Sequence, residues 1–405
     1  MYKYEISNQF QRYTHLDLQP EFIPLNKHGF TDLLSINLED TIRIRKVKNK
    51  INLINPNLWE DIKKYTNPYE LIYIFNYNMT NNNISSIARI KPLSRSFFKM
   101  IEIIYEFLPG LLTDYTKTNI YSLHIAEGPG GFIEATRYLR TLNTNVNGDK
   151  AFAITLIDNT CKNVPAWKQS YIFLKNHPEV IISTGIDGTG NIYNINNILS
   201  LETLIKSHIA IDANPGIYFI TADGGFDYSI DYNYQEQASS KLIFCEIITA
   251  LKYQCIGGCF VCKFFDINSY ISVEMLYLLY LAYEQITIYK PLTSRFANSE
   301  KYIICNKFIG TNKTLLHNLF NLLSDWNNNS GTLNKIFNNI PPEFIIHIKN
   351  INQKIIDTQI QSINNVINII KHKHNINIEW KKEQLAIQIN NAKEWCKKYK
   401  IPYNE

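Results

Sequence analysis

The middle of the chain alternates between short apolar segments, rich in β-branched and aromatic residues, and longer segments with helical periodicity. The strand-like segments are SLHIAE, AFAITLID, GIYFITAD, GCFVCKFF, QITIYK and KYIICNKF; GFIEATRYLR and SVEMLYLLYLAYEQ are helix-like segments between them. Strands that alternate with helices predict a parallel sheet covered on both faces. We therefore expect a doubly wound α/β domain over residues 67–309, an N-terminal extension over 1–66 and a helical C-terminal region over 310–405.

The composition is that of a globular protein. The chain has 405 residues, of which 45% are hydrophobic and 19% charged, and its net charge is +5. This mild basic excess favours a polyanionic partner such as nucleic acid only weakly, because a solvated lysine-rich surface explains it as well. The longest apolar run, Met275 to Tyr283, is shorter than the ~20 residues of a membrane span. With no apolar signal segment at the start, these features predict a soluble protein without membrane association.

The cysteines do not predict a metal site. Cys259 and Cys262 form a CxxC motif, but the motif lies in the strand-like segment GGCFVCKFF. Side chains three residues apart on a strand point to opposite faces, so these two thiols are not expected to share a metal. Reduced core thiols in an intracellular protein are the interpretation that we favour.

A tight corner, GPGGF at residues 128–132, joins the first strand of the wound unit to its helix. In open α/β sheets ligands bind beyond the carboxyl ends of the strands, and glycines there let backbone N–H groups approach a ligand. The spacing is neither GxGxxG nor GxxxxGK[ST], so it predicts neither a dinucleotide fingerprint nor a P-loop. Two interpretations remain open: a tight turn, or a loop for a nucleoside with a carboxylate tail, such as S-adenosylmethionine.

Four charged residues are expected near the same edge of the sheet. Asp223 ends one strand, Lys263 ends the next, and Glu300 precedes the last one. Lys99 lies on a predicted helix upstream. Each charge alone is explained as a solvated or paired surface group. Together they predict a cleft in which a lysine between carboxylates acts as a base.

These segments, in this order, resemble the FtsJ-like ribose 2′-O-methyltransferases, and among them the enzymes that methylate the first transcribed nucleotide of capped mRNA. The matching segments are NPYE (67–70), SRSFFKM (94–100), GPGGF (128–132), GIDGTGNI (185–192), ADGGFD (222–227), GGCFVCKFFD (257–266), KPLTSRFANSEKYIIC (290–305) and, more faintly, the final KEWCKKYKIPYNE. The resemblance implies a Rossmann-like methyltransferase sheet, S-adenosylmethionine as the cofactor and capped mRNA as the substrate. It implies no metal.

The resemblance also implies roles for individual residues. The Lys–Asp–Lys–Glu tetrad of the family corresponds to Lys99, Asp223, Lys263 and Glu300, and a neutral Lys263 would accept the proton of the 2′-hydroxyl group. The residues matched to the cofactor are Gly128, Pro129, Gly130, Gly131, Phe132, Glu127 and Asp187, and those matched to the RNA are Arg295 and Asn298.

The chain departs from the family pattern on its first strand. Members of the family usually carry an acidic residue at the position of His124, whereas here the acid is Glu127, next to the glycine corner. Either Glu127 binds the ammonium group of the cofactor or that contact is lost, which makes cofactor affinity the property in question. The basic run RIRKVKNK (43–50) also has two interpretations: a track for the RNA backbone or a solvated charged segment.

Two other functions fit the same motifs: 2′-O-methylation of ribosomal or transfer RNA, and a catalytically silent RNA-binding subunit. The complete tetrad argues against a silent subunit, and TSRFANSE with the C-terminal segment favours the cap enzymes. The Asn- and Ile-rich composition is typical of AT-biased genomes, such as those of large DNA viruses or protists. The expected location is therefore the host cytoplasm or virion for a viral protein and otherwise the nucleus, with a capping-apparatus or polymerase partner compatible with each.

Overall fold

A computed structural model describes residues 2–13, 16–74, 85–113, 119–143, 148–161, 163–209, 216–226, 231–372 and 376–404. The strands are β1 (Tyr2–Ile6), β2 (Leu18–Ile23), β3 (Tyr121–Ile125), β4 (Lys150–Ile154), β5 (Val180–Ser183), β6 (Ile217–Ala222), β7 (Gln254–Phe264), β8 (Tyr283–Lys290), β9 (Lys301–Phe308) and β10 (Thr332–Phe337). The helices are α1 (Leu38–Ile51), α2 (Pro56–Tyr65), α3 (Ser96–Phe107), α4 (Gly110–Thr113), α5 (Gly131–Asn143), α6 (Tyr171–Asn176), α7 (Ile195–His208), α8 (Gln235–Tyr253), α9 (Tyr270–Ala282), α10 (Lys313–Asn328), α11 (Pro342–Lys371) and α12 (Ile378–Lys398).

The central sheet has eight strands in the order β1-β8-β9-β7-β6-β3-β4-β5. Strands β3 to β7 are parallel, as the alternating pattern predicts. The sheet departs from the parallel pattern at one edge, where β9 is antiparallel to both β7 and β8 and β1 is antiparallel to β8. The cause is the short connection 291–300, which has no crossover helix, so the chain must return antiparallel.

Helices cover both faces of the sheet, and alternate residues of each central strand enter different cores. On β7, Phe260, Cys262 and Phe264 pack with α7 to α10, whereas Cys259 and Val261 pack with α3 and α5. This is the period-two alternation of a strand buried on both sides. The prediction that Cys259 and Cys262 point to opposite faces is thereby confirmed.

The apolar run in the middle of the chain forms α9, which is buried along nearly its whole length. The prediction of a buried helix is therefore confirmed. Among the described helices, none combines the length and the apolar character needed to cross a bilayer.

Residues outside 67–309 contribute to the same cores. Strand β1 extends the central sheet, and β2 pairs with β10 in a second, two-stranded sheet. Trp395 on α12 donates a hydrogen bond from Nε1 to Glu102 Oε2 on α3 at 3.2 Å. The C-terminal region, which is predicted to be helical, also contains the strand β10. The domain boundaries themselves stay predictions.

Neither interpretation of the run 43–50 holds for Lys48. The run lies on α1, where Lys48 Nζ is 2.6 Å from Asp266 Oδ2, just beyond β7, and both side chains are only 6% exposed. Arg43, which is more exposed, pairs with Asp40 and Asp357 at 2.6 Å each. The helical periodicity explains the difference, because it directs one lysine of a charged run into the interior.

Replacing Lys48 with Met should lower the free energy of unfolding by about 3–5 kcal/mol, because the carboxylate of Asp266 loses the partner nearest to it in a buried site. Lys206→Met is the control: its side chain is 67% exposed and pairs with Glu202, so the change should cost less than about 1 kcal/mol. Urea unfolding measures both. Equal losses for the two variants would contradict the assignment of Lys48 to a buried pair.

Candidate functional site

A cleft of about 850 Å³ opens at the carboxyl ends of the parallel strands. Its wall includes Ala126 after β3, Thr155 after β4, Asp223 after β6 and Phe265 after β7. These residues meet because parallel strands end at one edge, where the neighbouring loops diverge and leave a crevice. The position agrees with the one that the strand ends predict.

The glycine corner is packed too tightly for side chains. A Cβ atom on Gly128 would lie 2.5 Å from the carbonyl oxygen of Ala166, and one on Gly131 would lie 2.2 Å from Ser94 Oγ and Ser96 Oγ. Gly128 and Pro129 line the cleft. The corner therefore brings bare backbone to the cleft wall at the start of α5.

Lys263 and Asp223 form the first charged pair of the site. Lys263 Nζ lies 3.2 Å from Asp223 Oδ1 and donates a hydrogen bond to the carbonyl oxygen of Asp223 at 2.7 Å. Tyr302 also donates from its hydroxyl group to Asp223 Oδ1 at 3.0 Å. The two charged side chains are 12% and 14% exposed, so the pair is largely desolvated while it still borders the cleft.

Glu300 and Lys99 form the second pair. Lys99 Nζ is 2.7 Å from Glu300 Oε1, and Ser294 Oγ donates to the same oxygen at 2.9 Å. Burial alone would raise the pKa of Glu300, but Lys99, Lys263 and Lys290 lower it to about 2. Glu300 borders the cleft, and Lys99, in the first turn of α3, contacts the carboxylate of Glu300. The structure thus brings all four residues of the predicted tetrad together.

The loop that carries Glu300 is held by a lysine that sequence reasoning missed. Lys290, 2% exposed at the end of β8, donates from Nζ to Asn298 Oδ1 at 2.7 Å, to the Asn298 carbonyl at 2.9 Å and to the Glu300 carbonyl at 2.7 Å. Burial lowers the pKa of Lys290 to about 7, although Glu300 opposes the shift. Lys290 opens the segment KPLTSRFANSE, but nothing in that segment signals that its amine turns inward.

The remaining residues of the corner lie behind the cleft wall. Phe132 is fully buried, with its ring 5.7 Å from that of Tyr302. Glu127, only 4% exposed, accepts a hydrogen bond from Thr221 Oγ1, and its other oxygen is 3.3 Å from His124 Nδ1. Gly130, like these two, is absent from the cleft wall. A direct contact of Glu127 with a cofactor stays a prediction.

Asp187 organises its own turn rather than the cleft. Its carboxylate accepts from Thr189 Oγ1 at 2.7 Å, Asn194 Nδ2 at 2.7 Å and Asn197 Nδ2 at 2.9 Å, which lowers its pKa. The cleft wall instead uses the residues that directly follow this turn, from Gly190 to Tyr193. The motif GIDGTGNI therefore reaches the cleft through residues other than the one that we singled out.

The two residues predicted to contact RNA differ in their surroundings. Asn298 is exposed on the cleft wall. Arg295 pairs with Glu70, at 3.1 Å from Nε and 2.6 Å from Nη2, and is absent from the wall. Burial would raise the pKa of Glu70, but Arg95 and Arg295 lower it to about 2. This buried carboxylate anchors Arg295 beside the cleft.

Several wall residues have no motif of their own. Thr155 and Leu156 follow β4 and were findable from the rule that ligands meet strand ends. Tyr193 could not be predicted in this way, because the residues that hold it are distant in sequence. Lys241 Nζ lies 5.2 Å from its ring, and Asn327 Nδ2 donates a hydrogen bond to its carbonyl oxygen at 2.8 Å. Among the described residues, no group of three or more His, Cys, Asp and Glu side chains is arranged to hold a metal ion.

Comparison with known proteins gives consistent matches. The model of the family described as FtsJ-like methyltransferase matches residues 92–308. Cap-specific mRNA (nucleoside-2′-O-)-methyltransferase 1 of Dictyostelium discoideum is 29% identical over 332 residues, which cover 78% of this chain and 41% of that protein. The protein of the same name in Drosophila melanogaster is 35% identical over 186 residues, or 46% of this chain and 22% of that protein. The chain thus spans less than half the length of these relatives.

A solved structure of a ribosomal RNA methyltransferase from Plasmodium falciparum also matches, with a TM-score of 0.36 and 20% identity, over 54% of this chain and 100% of that chain.

Glu300→Gln should lower the free energy of unfolding at pH 7 by up to about 3 kcal/mol, because a pKa lowered from 4.5 to about 2 stabilises the folded state by that order. The folded state then binds fewer protons than the unfolded chain, so the difference between wild type and variant should shrink as the pH falls from 4.5 towards 2. Urea unfolding across this range measures it. Glu284→Gln, at an exposed pair, should show no such trend; a constant difference for Glu300→Gln would contradict the ion-pair assignment.

Proposed function

The chain belongs to the FtsJ-like methyltransferase family, and from this we propose that it transfers a methyl group from S-adenosylmethionine to the ribose 2′-oxygen of the first transcribed nucleotide of capped mRNA. The observation that carries the proposal is the Lys263–Asp223 pair on the wall of a cleft at the strand ends, next to Lys99–Glu300. The relatives from Dictyostelium and Drosophila are both named cap-specific mRNA (nucleoside-2′-O-)-methyltransferase 1.

The cleft fits S-adenosylmethionine. At Gly128 a Cβ atom would collide with the backbone of Ala166, so this part of the wall is backbone without a side chain, which a ligand can approach closely. Thr155, Asn191 and Tyr193 provide polar and aromatic groups farther along the wall. These residues would hold the cofactor, with Asp187 shaping the turn before Asn191. When bound, the cofactor supplies a methyl group that its sulfonium already activates.

Since the methyl group is already activated, the protein must contribute orientation and a proton acceptor. Lys263 takes the proton of the 2′-hydroxyl group on Nζ when its amine is neutral. Asp223 fixes that amine through both its carbonyl and its carboxylate oxygen. Lys99 balances the charge of Glu300, so the cleft does not gather two uncompensated carboxylates around the base.

The acceptor end of the RNA would lie against the loop that carries Glu300. Asn298, exposed on the wall, can donate from its side-chain amide to a ribose or phosphate oxygen. Arg295 on the same loop is held by Glu70 with its side chain still 30% exposed, and would contact a phosphate. Work on nascent transcripts would bring the protein next to the capping apparatus or an RNA polymerase.

Lys263→Ala should lower methyl transfer by about 10²-fold or more, the scale expected for a positioned base. Binding of S-adenosylmethionine, measured by calorimetry, should stay close to that of the wild type, because the glycine corner is unchanged. Lys307→Ala, at an exposed pair with Glu284, is the control and should keep both properties. Near-normal turnover in a folded Lys263→Ala protein would remove Lys263 from the mechanism.

The substrate is tested with one RNA sequence prepared with and without a cap, and nuclease mapping of the methylated product. Capped RNA only a few nucleotides long should be methylated on its first ribose, and a free analogue of the capped guanosine should compete with it. An enzyme directed at the cap would contact few phosphates, so its affinity for RNA should depend only weakly on salt. Equal methylation of uncapped RNA, or an internal product, would instead favour ribosomal or transfer RNA; binding without methylation would favour a silent subunit.

A further inference from the structure

A buried carboxyl group that the proposed mechanism does not use lies directly behind the site. Glu246 is on α8 and is completely buried. Its Oε1 accepts a hydrogen bond from the backbone N–H of Gly224 at 3.1 Å, and its Oε2 lies 3.6 Å from Cys262 Sγ. Gly224 directly follows Asp223, and Cys262 directly precedes Lys263. Glu246 therefore contacts both backbone segments that carry the first charged pair.

The contact with the turn is close. A Cβ atom on Gly224 would lie only 2.3 Å from Glu246 Oε1, so the carboxyl group fills the space beneath the turn. Gly224 itself lines the cleft, whereas Glu246 does not. The carboxyl group thus acts on the cleft through Gly224, and the direction of the Asp223 side chain depends on where that N–H group is held.

The partners of Glu246 are neutral. Among the described residues no cation lies within ion-pair distance of its carboxyl group, and Lys263 is bound to Asp223 instead. The charged groups that face it are Lys263 and Asp223, and the thiols of Cys262 on β7 and Cys245 on its own helix are nearby. Burial raises the pKa of Glu246 to about 8 even though Lys263 opposes the shift. A buried carboxylate without a counter-charge raises the free energy of the folded state, so the protonated, uncharged form of Glu246 is favoured.

We propose that Glu246 is a positioning residue for methyl transfer: as an uncharged carboxylic acid it supports the Asp223–Gly224 turn and adds no negative charge to those of Asp223 and Glu300 near Lys263. The inference rests on the proposed function. Ionisation of Glu246 adds a further carboxylate near Lys263, which favours the protonated form of Lys263, and in that form the amine cannot take the proton of a hydroxyl group. The state of Glu246 therefore controls how readily Lys263 acts as a base.

The kinetic test compares Glu246→Gln and Glu246→Leu with the wild type from pH 6 to pH 10, with kcat and KM for capped RNA at each pH. Glutamine keeps an acceptor for the Gly224 N–H group but cannot ionise, whereas leucine removes the acceptor. Glu274→Gln is the matched control. Glu274 is also a buried carboxyl group, and burial raises its pKa to about 7. It differs from Glu246 because it accepts a hydrogen bond from the backbone N–H of Ile336, which is not on the cleft wall.

Glu246→Gln should keep kcat near pH 7 within about threefold and exceed the wild type above pH 8, because it never becomes charged. Glu246→Leu should lose about tenfold in kcat, the effect of one missing hydrogen bond on the position of the base, with KM little changed. Glu274→Gln should follow the wild-type profile. A Gln profile that superimposes on the wild type, or a Gln variant as impaired as the Leu variant, would overturn the proposal.

A second measurement needs no RNA. Because the folded state keeps the proton of Glu246 up to about pH 8 and the unfolded chain loses it near pH 4.3, unfolding releases a proton between these values. The urea midpoint of the wild type should therefore fall with rising pH between 5 and 8 relative to that of Glu246→Gln. Parallel curves would overturn the uncharged state, whereas failure of the wild type to methylate capped RNA would overturn only the proposed function.

Discussion

Charge balance at one edge of the sheet is the constraint on which the site depends. Lysines and carboxylates can lie largely out of water only if each has an opposite charge or several hydrogen-bond partners. Lys263 has Asp223, Lys99 has Glu300, and farther along the same edge Lys48 has Asp266. Lys290 instead has three acceptors on the loop that it holds. Removing the charge of one residue in such an ion pair leaves the other residue buried without an opposite charge.

The antiparallel return of β9 is what completes this balance. A crossover helix after β8 would bring the next strand in parallel, and its first residue would then lie at the far edge of the sheet. The short connection makes β9 start at the edge where β7 ends. Glu300, the residue just before β9, therefore arrives beside Lys99 and in the field of Lys263. The exception to the parallel pattern is in this sense a requirement of the site.

Part of the fold and the four charged residues could be predicted because their signals are local: apolar runs, periodicity, and the rule that ligands meet the ends of strands. The elements concerned are the strands β3, β4, β6, β7, β8 and β9 and the helices α5 and α9. The order of β8 and β9 could not be predicted, since both topologies use the same apolar runs. Lys290 and Glu246 carry no signal because their roles come from backbone groups that only the folded chain brings near them. The cofactor contact of Asp187 stays a prediction, because an Asp followed by Gly and Thr serves its own turn as readily as a ligand.

The pairing of β1 with β8 joins Tyr2 to Lys290, nearly 290 residues apart in the chain. Contacts between such distant segments form late, because the entropy of closing so long a loop must be overcome first. On the ribosome, β1 has no partner until β8 has been synthesised, and Lys290, whose amine holds the loop that carries Glu300, lies at the end of that same strand. Until β8 is available, the nascent chain therefore carries an unpaired strand that a chaperone or a second chain can capture.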